Sequence, residues 1–445
     1  MKSEHGLFRG RIDWPLVGAI VGLVLVGSVA MLSAASPLPY YSQILQRHFL
    51  ALGAGTVLFV FGLGFNYQIF QDQSKTLYIL ALGLMVLVLL VGDVQRGTRG
   101  WLRSPYFSFQ PSEFARIVMI LVLAAYLDRR AKASSTVGYV LGAFGVVLPV
   151  LALILLEPDF SSALTFFPML LVMLFCGGAN IAHLLAMTAY GAVALFLPLL
   201  WTLLSLRPEW TASSATLGFF LRLREFDLPL LLTVAGIFFV VYIAWRLALQ
   251  LRVHAPAPYF VVTAIILAVG LGSGALVDHQ LKGYQRARFV AFLVPEVDPR
   301  GAAYNVQQAQ IAIGSGGLWG KGVFSGTQSR LGFLPERHTD FIYAVIGEEM
   351  GFVGSMSVLA LYMLLLWRVV NTARVARDRY GYLVCCGVAA ISAFYLLVNV
   401  GMCLGLVPVA GVPLPLVSYG GSNLAVTLLS MGIVANIYSR RYAFY

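Results

Sequence analysis

Apolar runs recur along the chain near 14–34, 48–65, 76–92, 112–127, 137–156, 161–176, 181–203, 230–249, 258–276, 341–367, 381–404 and 422–438, each ended by a short polar or glycine-rich break. A run of about 20 residues, wound as a helix, spans a hydrocarbon core of roughly 30 Å with its backbone bonded internally. The pattern predicts an all-α polytopic integral membrane protein with about twelve transmembrane helices, organised as a single membrane domain over 1–445. Composition agrees: 59% of residues are hydrophobic and 11% charged, and the mean hydropathy of +0.84 exceeds what a soluble surface tolerates. Arg9 and Arg11 before the first run, with Ser33, Ala34 and Ala35 after it, give it the outline of a secretory signal. Eleven further spans instead predict an uncleaved first helix. Cys176, Cys385, Cys386 and Cys403 all lie in apolar runs without metal-ligand spacing and are expected to be packing residues.

Two stretches break the pattern. The longest polar segment, 277–340, mixes apolar residues, glycines and charges at a density that predicts a large folded loop rather than a linker. Its SGGLWGKG has the outline of a phosphate loop, but Ser315 stands where glycine is required, Gly322 where Ser or Thr would bind Mg²⁺, and no strand precedes it. The second stretch, 405–423, carries Pro408, Pro413 and Pro415 with Gly411, Gly420 and Gly421. It cannot be a regular helix and is too apolar for water, which predicts a re-entrant segment lining a cavity.

Charge sets the orientation. Arg129, Arg130 and Lys132, then Arg368, Arg374, Arg377 and Arg379, then Arg440 and Arg441 cluster in short breaks; with Lys2, Arg9 and Arg11 they predict that both termini are cytoplasmic, and the same topology puts Arg246 and Arg252 inside. On the opposite face fall Arg47, Arg96, Arg99, Arg103, Arg207, Arg222, Arg224, Lys282, Arg286, Arg288, Arg300, Lys321, Arg330 and Arg337. Long translocated loops escape the positive-inside bias, yet so many guanidinium groups also suit an anion such as phosphate.

Candidate chemistry lies on that outer face. Asp340 precedes FIYAVIGEEMGFVGS, in which Ala344, Gly347, Gly351 and Ser355 fall within about 60° of it, predicting close helix packing at Gly347 and Gly351. At the start of a helix the dipole favours an anionic Asp340, and Asp is also a preferred cap. Glu113, Glu157 and Asp159 lie at outer helix ends too, and Arg116, three residues on from Glu113, is its natural partner. A charge near the membrane centre costs about 2.5–3.5 kcal/mol on insertion scales, so such groups tend to have partners and tasks. Glycosyl transfer from a lipid-linked sugar diphosphate needs a carboxylate to take the proton of the attacking hydroxyl and cations to hold the departing diphosphate. Asp340 is the candidate for the first role; Arg286, Arg288, Lys321 and Arg337 are candidates for the second.

The blocks RGTRGWL (96–102), FQPSEFAR (109–116), EPDF (157–160), YQRAR (284–288), AIGSGGLWGKG with GTQS, FLPERHTDFIYAVIGEEMG (333–351) and GVPLPLVSYGGS (411–422) occur in order from the first span to the last. Together they resemble the SEDS family of cell-wall proteins, and the GTQS and FLPERHTDFI wording is similar to its rod-shape branch. The resemblance implies a peptidoglycan glycosyltransferase that polymerises lipid II outside the plasma (inner) membrane during cell elongation. It implies a class B penicillin-binding protein and other elongation-complex proteins as partners, and no nucleic acid. It makes Asp340 the catalytic carboxylate, maps the family's supporting acids onto Glu113 and Asp159, and brings His338, Ser418 and Ser422 into the candidate site. It also implies a divalent cation, Mg²⁺ or Mn²⁺, whose site no residue spacing reveals.

The chain departs from the family pattern in places. Arg116 replaces a usual Lys, Glu157-Pro158-Asp159 stands for Gln-Pro-Asp, and Gly332 takes a place often held by Glu. Residues 206–257 are expected to be an inserted helix pair that raises a family core of ten spans to twelve. Two other functions compete: a lipid II flippase, which would share broken helices and intramembrane charges, and a non-catalytic scaffold of the elongation machinery. Against the first stands the absence of an internal repeat; against the second, the folded outer loop with its acids and glycines.

Overall fold

The computed structural model describes residues 12–95, 98–103, 108–251, 256–281, 283–294, 296 and 301–442. Lys2, Arg9, Arg11, Arg96, Arg252, Lys282 and Arg300 lie outside the described residues. The chain divides into two compact units, residues 1–179 with 305–445, and residues 180–304.

The first unit begins with α1 (Trp14–Ala35), α2 (Tyr41–Gly64), the short α3 (Gln68–Asp72) and α4 (Ser74–Val91). A small antiparallel sheet follows, β1 (Asp93–Gln95), β2 (Thr98–Arg103) and β3 (Ser108–Phe109) in that order, with Asp93 opposite Trp101 and Leu102 opposite Phe109. Then come α5 (Pro111–Arg129), α6 (Val137–Leu156) and α7 (Phe160–Cys176). The second unit holds α8 (Ile181–Leu206), α9 (Pro208–Ser213), α10 (Ala215–Arg222), α11 (Leu228–Gln250), α12 (Ala257–Gln280) and α13 (Gly283–Leu293). Its core joins Leu197 and Trp201 of α8, Leu223, Leu230 of α11, and Leu271 and Ala275 of α12, with Trp201 Nε1 donating to Phe220 O at 3.0 Å. Among the described residues of 206–257 lie two short helices and one of membrane length, α11. The chain then forms α14 (Ala302–Ser315), which runs into the first unit, the single-turn α15 (Thr327–Arg330), α16 (Ile342–Val375), α17 (Arg379–Cys403) and α18 (Gly421–Ser439).

All twelve apolar runs correspond to helices. Ten are long and apolar enough to cross a membrane; the other two are α5, which carries Glu113, Arg116, Asp128 and Arg129, and the 17-residue α7. Where two helices approach closely, glycine makes the room. A Cβ on Gly62 of α2 would lie 3.0 Å from the Ile433 nitrogen, and one on Gly432 of α18 would run into the Phe59 carbonyl. Membrane helices associate by such backbone approach because lipid supplies no hydrophobic drive between them.

Close helix packing at Gly351 is corrected by the structure. Gly351 has φ 67°, a left-handed conformation that interrupts α16, and the loop 317–320 docks against the break. Phe352 N donates to Gly317 O at 2.9 Å and Val353 N to Leu318 O at 3.1 Å. The small residues of this face accommodate α14 and the glycine-rich loop, with a Cβ on Gly347 lying 3.0 Å from Ile313. The periodicity argument assumes an unbroken helix, and positive φ at one glycine defeats it.

Gly432→Leu is expected to push α18 off α2 and cost about 1–3 kcal/mol of stability. Thermal unfolding of the detergent-solubilised protein would check this, against Gly53→Leu as a control facing open space.

Candidate functional site

Two polar layers mark the two ends of the first unit. At one end, Arg368 of α16 grips Asp13 with Nη2–Oδ2 at 2.9 Å and Nε contacts of 3.0 Å, Tyr67 OH donates to Asp378 at 2.8 Å, and Arg379 donates to Gly177 O at 2.7 Å. The other end gathers β3, the 157–159 corner, the 316–341 loop and the irregular 404–420 segment, and there the candidate residues lie.

Glu113 and Arg116 form the buried ion pair that their spacing predicts. Asn423 Nδ2 donates to Glu113 Oε2 at 3.1 Å, Tyr395 OH accepts from Arg116, and the guanidinium lies 4.6 Å from the Tyr395 ring centre. A cavity of about 20 Å³, room for one water, borders Arg116, Ser392, Thr427 and Ser430. Ser422 joins the start of α18 to β3: its Oγ donates to Ser108 O and accepts from Gln110 N, both at 3.0 Å. Gln110 Nε2 in turn donates to Asp159 Oδ2 at 3.0 Å. Asp159 caps α7 through Ser162 N at 3.0 Å, so QPSE, EPD and YGGS meet in one network.

Beside it Glu157 is fully buried, and neither carboxylate oxygen has a hydrogen-bond partner among the described residues. Gly100 covers it, since a Cβ there would stand 3.0 Å from Oε2. Burial, and secondarily Asp159, push the Glu157 carboxyl up to about 8.

Asp340 is half-buried in the turn before α16, where Phe341 occupies the capping position without a side-chain cap bond. The backbone around Asp340 is held from the irregular segment and from α17. Ser418 Oγ donates to Thr339 O at 2.6 Å while accepting from Leu414 N at 2.8 Å. Tyr419 N donates to His338 O at 2.9 Å, and the His338 and Tyr419 rings are 5.6 Å apart. Asn399 Nδ2 donates to both Asp340 O at 2.9 Å and Val412 O at 2.7 Å. The expected cavity-lining segment is thus irregular backbone, partly exposed over 405–411 and buried over 414–418, that fixes the HTD turn.

The expected cations take structural contacts. Lys321 Nζ meets Glu348 Oε1 at 2.9 Å. The same carboxylate accepts from Thr327 N at 2.8 Å, Gln328 N at 2.9 Å and Ser329 N at 3.2 Å, capping α15 from another helix. Glu349 accepts from Ser33 Oγ at 2.7 Å and Phe324 N at 3.2 Å. Arg337 is buried, its guanidinium pKa lowered by desolvation, and its Nε donates at 2.8 Å to Ala34 O in the last turn of α1. Arg286 and Arg288 lie on α13 of the second unit, where Arg286 meets the buried Asp278 at 3.3 Å.

Tyr395, Asn399 and Asn423 belong to this site and escape the charge pattern, because neutral side chains within apolar runs carry no charge signal. Their spacing is the available clue: Tyr395 and Asn399 are polar groups at i and i+4 of one helix face.

A helical membrane bundle with a buried acid–guanidinium pair, a second acid on a clamped turn and a broken Pro/Gly segment beneath it is the class of protein that fold and site define. The chain belongs to the cell cycle protein family of FtsW, RodA and SpoVE, whose model matches residues 12–210 and 226–443. It is 33% identical over 442 residues to the peptidoglycan glycosyltransferase RodA of Treponema pallidum, covering 97% of this chain and 99% of that one. It is 33% identical over 398 residues to the peptidoglycan glycosyltransferase MrdB of Escherichia coli K12, covering 89% and 86%. Among solved structures it resembles a chain of a peptidoglycan synthase complex that coordinates polymerization and crosslinking, with TM-score 0.67, 29% identity and coverage of 97% and 98%. It also resembles the rod shape determining protein RodA of Thermus thermophilus, with TM-score 0.58, 26% identity and coverage of 97% and 98%.

Two outcomes follow from this geometry. Asn399→Leu removes one donor from two carbonyls and is expected to cost about 1–3 kcal/mol; hydrogen exchange at 338–341 and 412–419 should rise together while α2 is unchanged. For Glu157 the folded pKa of about 8 lies above the ordinary value near 4.5, so the folded chain binds the extra proton between them. Stability then falls as pH rises from about 5 to 8, and Glu157→Gln should flatten that fall in thermal unfolding curves.

Proposed function

We propose that this chain is a peptidoglycan glycosyltransferase that lengthens glycan strands from lipid II, with Asp340 as the base. The supporting observation is the placement of Asp340, half-buried on a turn whose backbone is held by three separate clamps, from Ser418, from Tyr419 N and from Asn399. A positioned carboxylate of this kind suits proton abstraction.

In this reaction the Asp340 carboxylate takes the proton of an acceptor sugar hydroxyl. That oxygen forms a bond to the anomeric carbon of the donor, and the bond from that carbon to the diphosphate oxygen breaks, its electron pair leaving with undecaprenyl diphosphate. Glu113, neutralised by Arg116, and Asp159 organise the neighbouring corner. Among the described residues no three His, Cys, Asp or Glu side chains converge on one point; a Mg²⁺ or Mn²⁺ ion would be held by one or two carboxylates, with substrate phosphate oxygens supplying most of the remaining ligands. The layer with Arg368, Arg379 and Asp13 is rich in Arg at short breaks, which supports a reading with cytoplasmic termini and an outward-facing Asp340. A cross-linking transpeptidase of the class B type is the partner that the likeness to the synthase complex supports.

Asp340→Asn is expected to preserve folding and lower polymerisation of fluorescent lipid II by about 10²–10⁴-fold, assayed with purified protein in detergent with added Mn²⁺. Detergent has no sides, so strand growth there reports chemistry and not transport. Wild-type rates from the folded variant would remove Asp340 from this role.

A further inference from the structure

The loop held by Glu348 and Glu349 has a surface that the reaction does not use. Trp319 is 76% exposed and Leu318 56%, with Phe324 also exposed. These side chains are on fixed backbone: Lys321 N and Gly322 N donate to the carbonyls of Glu348 and Glu349 at 3.0 Å, beside the bonds from Phe352 and Val353. Phe324 N donates to Ser33 Oγ at 3.1 Å. Rigidly displayed apolar side chains of this kind mark an interaction site.

The height of the loop identifies what covers it. Beyond the break at Gly351, residues 352–375 of α16 rise about 36 Å at 1.5 Å per residue, against a hydrocarbon core of roughly 30 Å. The break therefore falls at one limit of the span. Phe352, 57% exposed, and Val353 begin the outward-facing apolar flank of α16, and Gly317 and Leu318 are hydrogen-bonded directly to them. Ser33, in the last turn of α1, sets the same height for Phe324 independently. Tryptophan favours this boundary, with its ring among acyl chains and its N–H at the headgroups.

We propose that residues 317–324 form a fixed interfacial anchor whose Leu318, Trp319 and Phe324 side chains insert into the headgroup boundary of the phospholipid leaflet at this end of the bundle. The anchor holds the Asp340 turn at a constant height through Glu348 and Glu349.

The test uses the full chain in nanodiscs of phosphatidylethanolamine and phosphatidylglycerol, with a nitroxide on Trp319→Cys or Leu318→Cys. The signal of the unaltered chain, treated alike, is subtracted for the native cysteines. Lys132→Cys, in the exposed turn after α5, gives the aqueous reference. At both loop positions collisions with oxygen should exceed those with a water-soluble nickel chelate, the reverse of position 132. Nickel access equal to that at position 132 would overturn the anchor. So would nickel access in the lone chain that disappears only when the cross-linking partner is added, since the surface would then belong to a protein interface.

Discussion

A backbone that leaves helical geometry at the edge of a bilayer has to find its hydrogen-bond partners inside the protein, and the site depends on how two such segments satisfy each other. The 404–420 segment, broken by prolines and glycines, and the turn at 338–340 each expose peptide groups that a helix would have paired internally. Ser418 bonds Leu414 N on one side and Thr339 O on the other, Tyr419 N reaches His338 O, and Asn399 spans Asp340 O and Val412 O. Neither segment would hold its shape without the other. The carboxylate of Asp340 is placed by this mutual satisfaction, because no regular element carries it.

The ionisable groups crowded at 336–349 divide by the same logic. Glu348 and Glu349 face inward, where desolvation is offset only if every lone pair is met; amides of 324–329, Ser33 and Lys321 meet them. Arg337 faces the carbonyl end of α1, where the helix dipole favours a cation. These three charges fasten the 317–341 loop to α1 and α16, so buried charge helps to order the loop.

Much of this was legible in the sequence. Apolar runs of membrane length map onto helices because the bilayer leaves so few alternatives, and the Glu113–Arg116 pair follows from i, i+3 spacing alone. Other features were not. The small sheet is built from strands of three, six and two residues, too short to show an alternating pattern, and its middle strand packs over Glu157 through Gly100. The break at Gly351 could not be read, since glycine is tolerated both in a packed helix face and at positive φ. Lys321 and Arg337 read as anion ligands because sequence shows that a cation is near an apolar boundary but not which acceptor it meets.

Placement of Tyr395 and Asn399 on one face of α17 then gives the site its unity. Tyr395 accepts from Arg116, the partner of Glu113, and one turn further on Asn399 holds the carbonyl of Asp340. A helix turn is rigid on the scale of a hydrogen bond, so a displacement of the buried ion pair cannot leave the Asp340 turn unaffected. The two acids lie far apart in sequence and on different elements, yet each is fastened to the same rail. Charge marks the groups that do the chemistry, while neutral hydrogen-bonding side chains inside an apolar helix hold those groups in register.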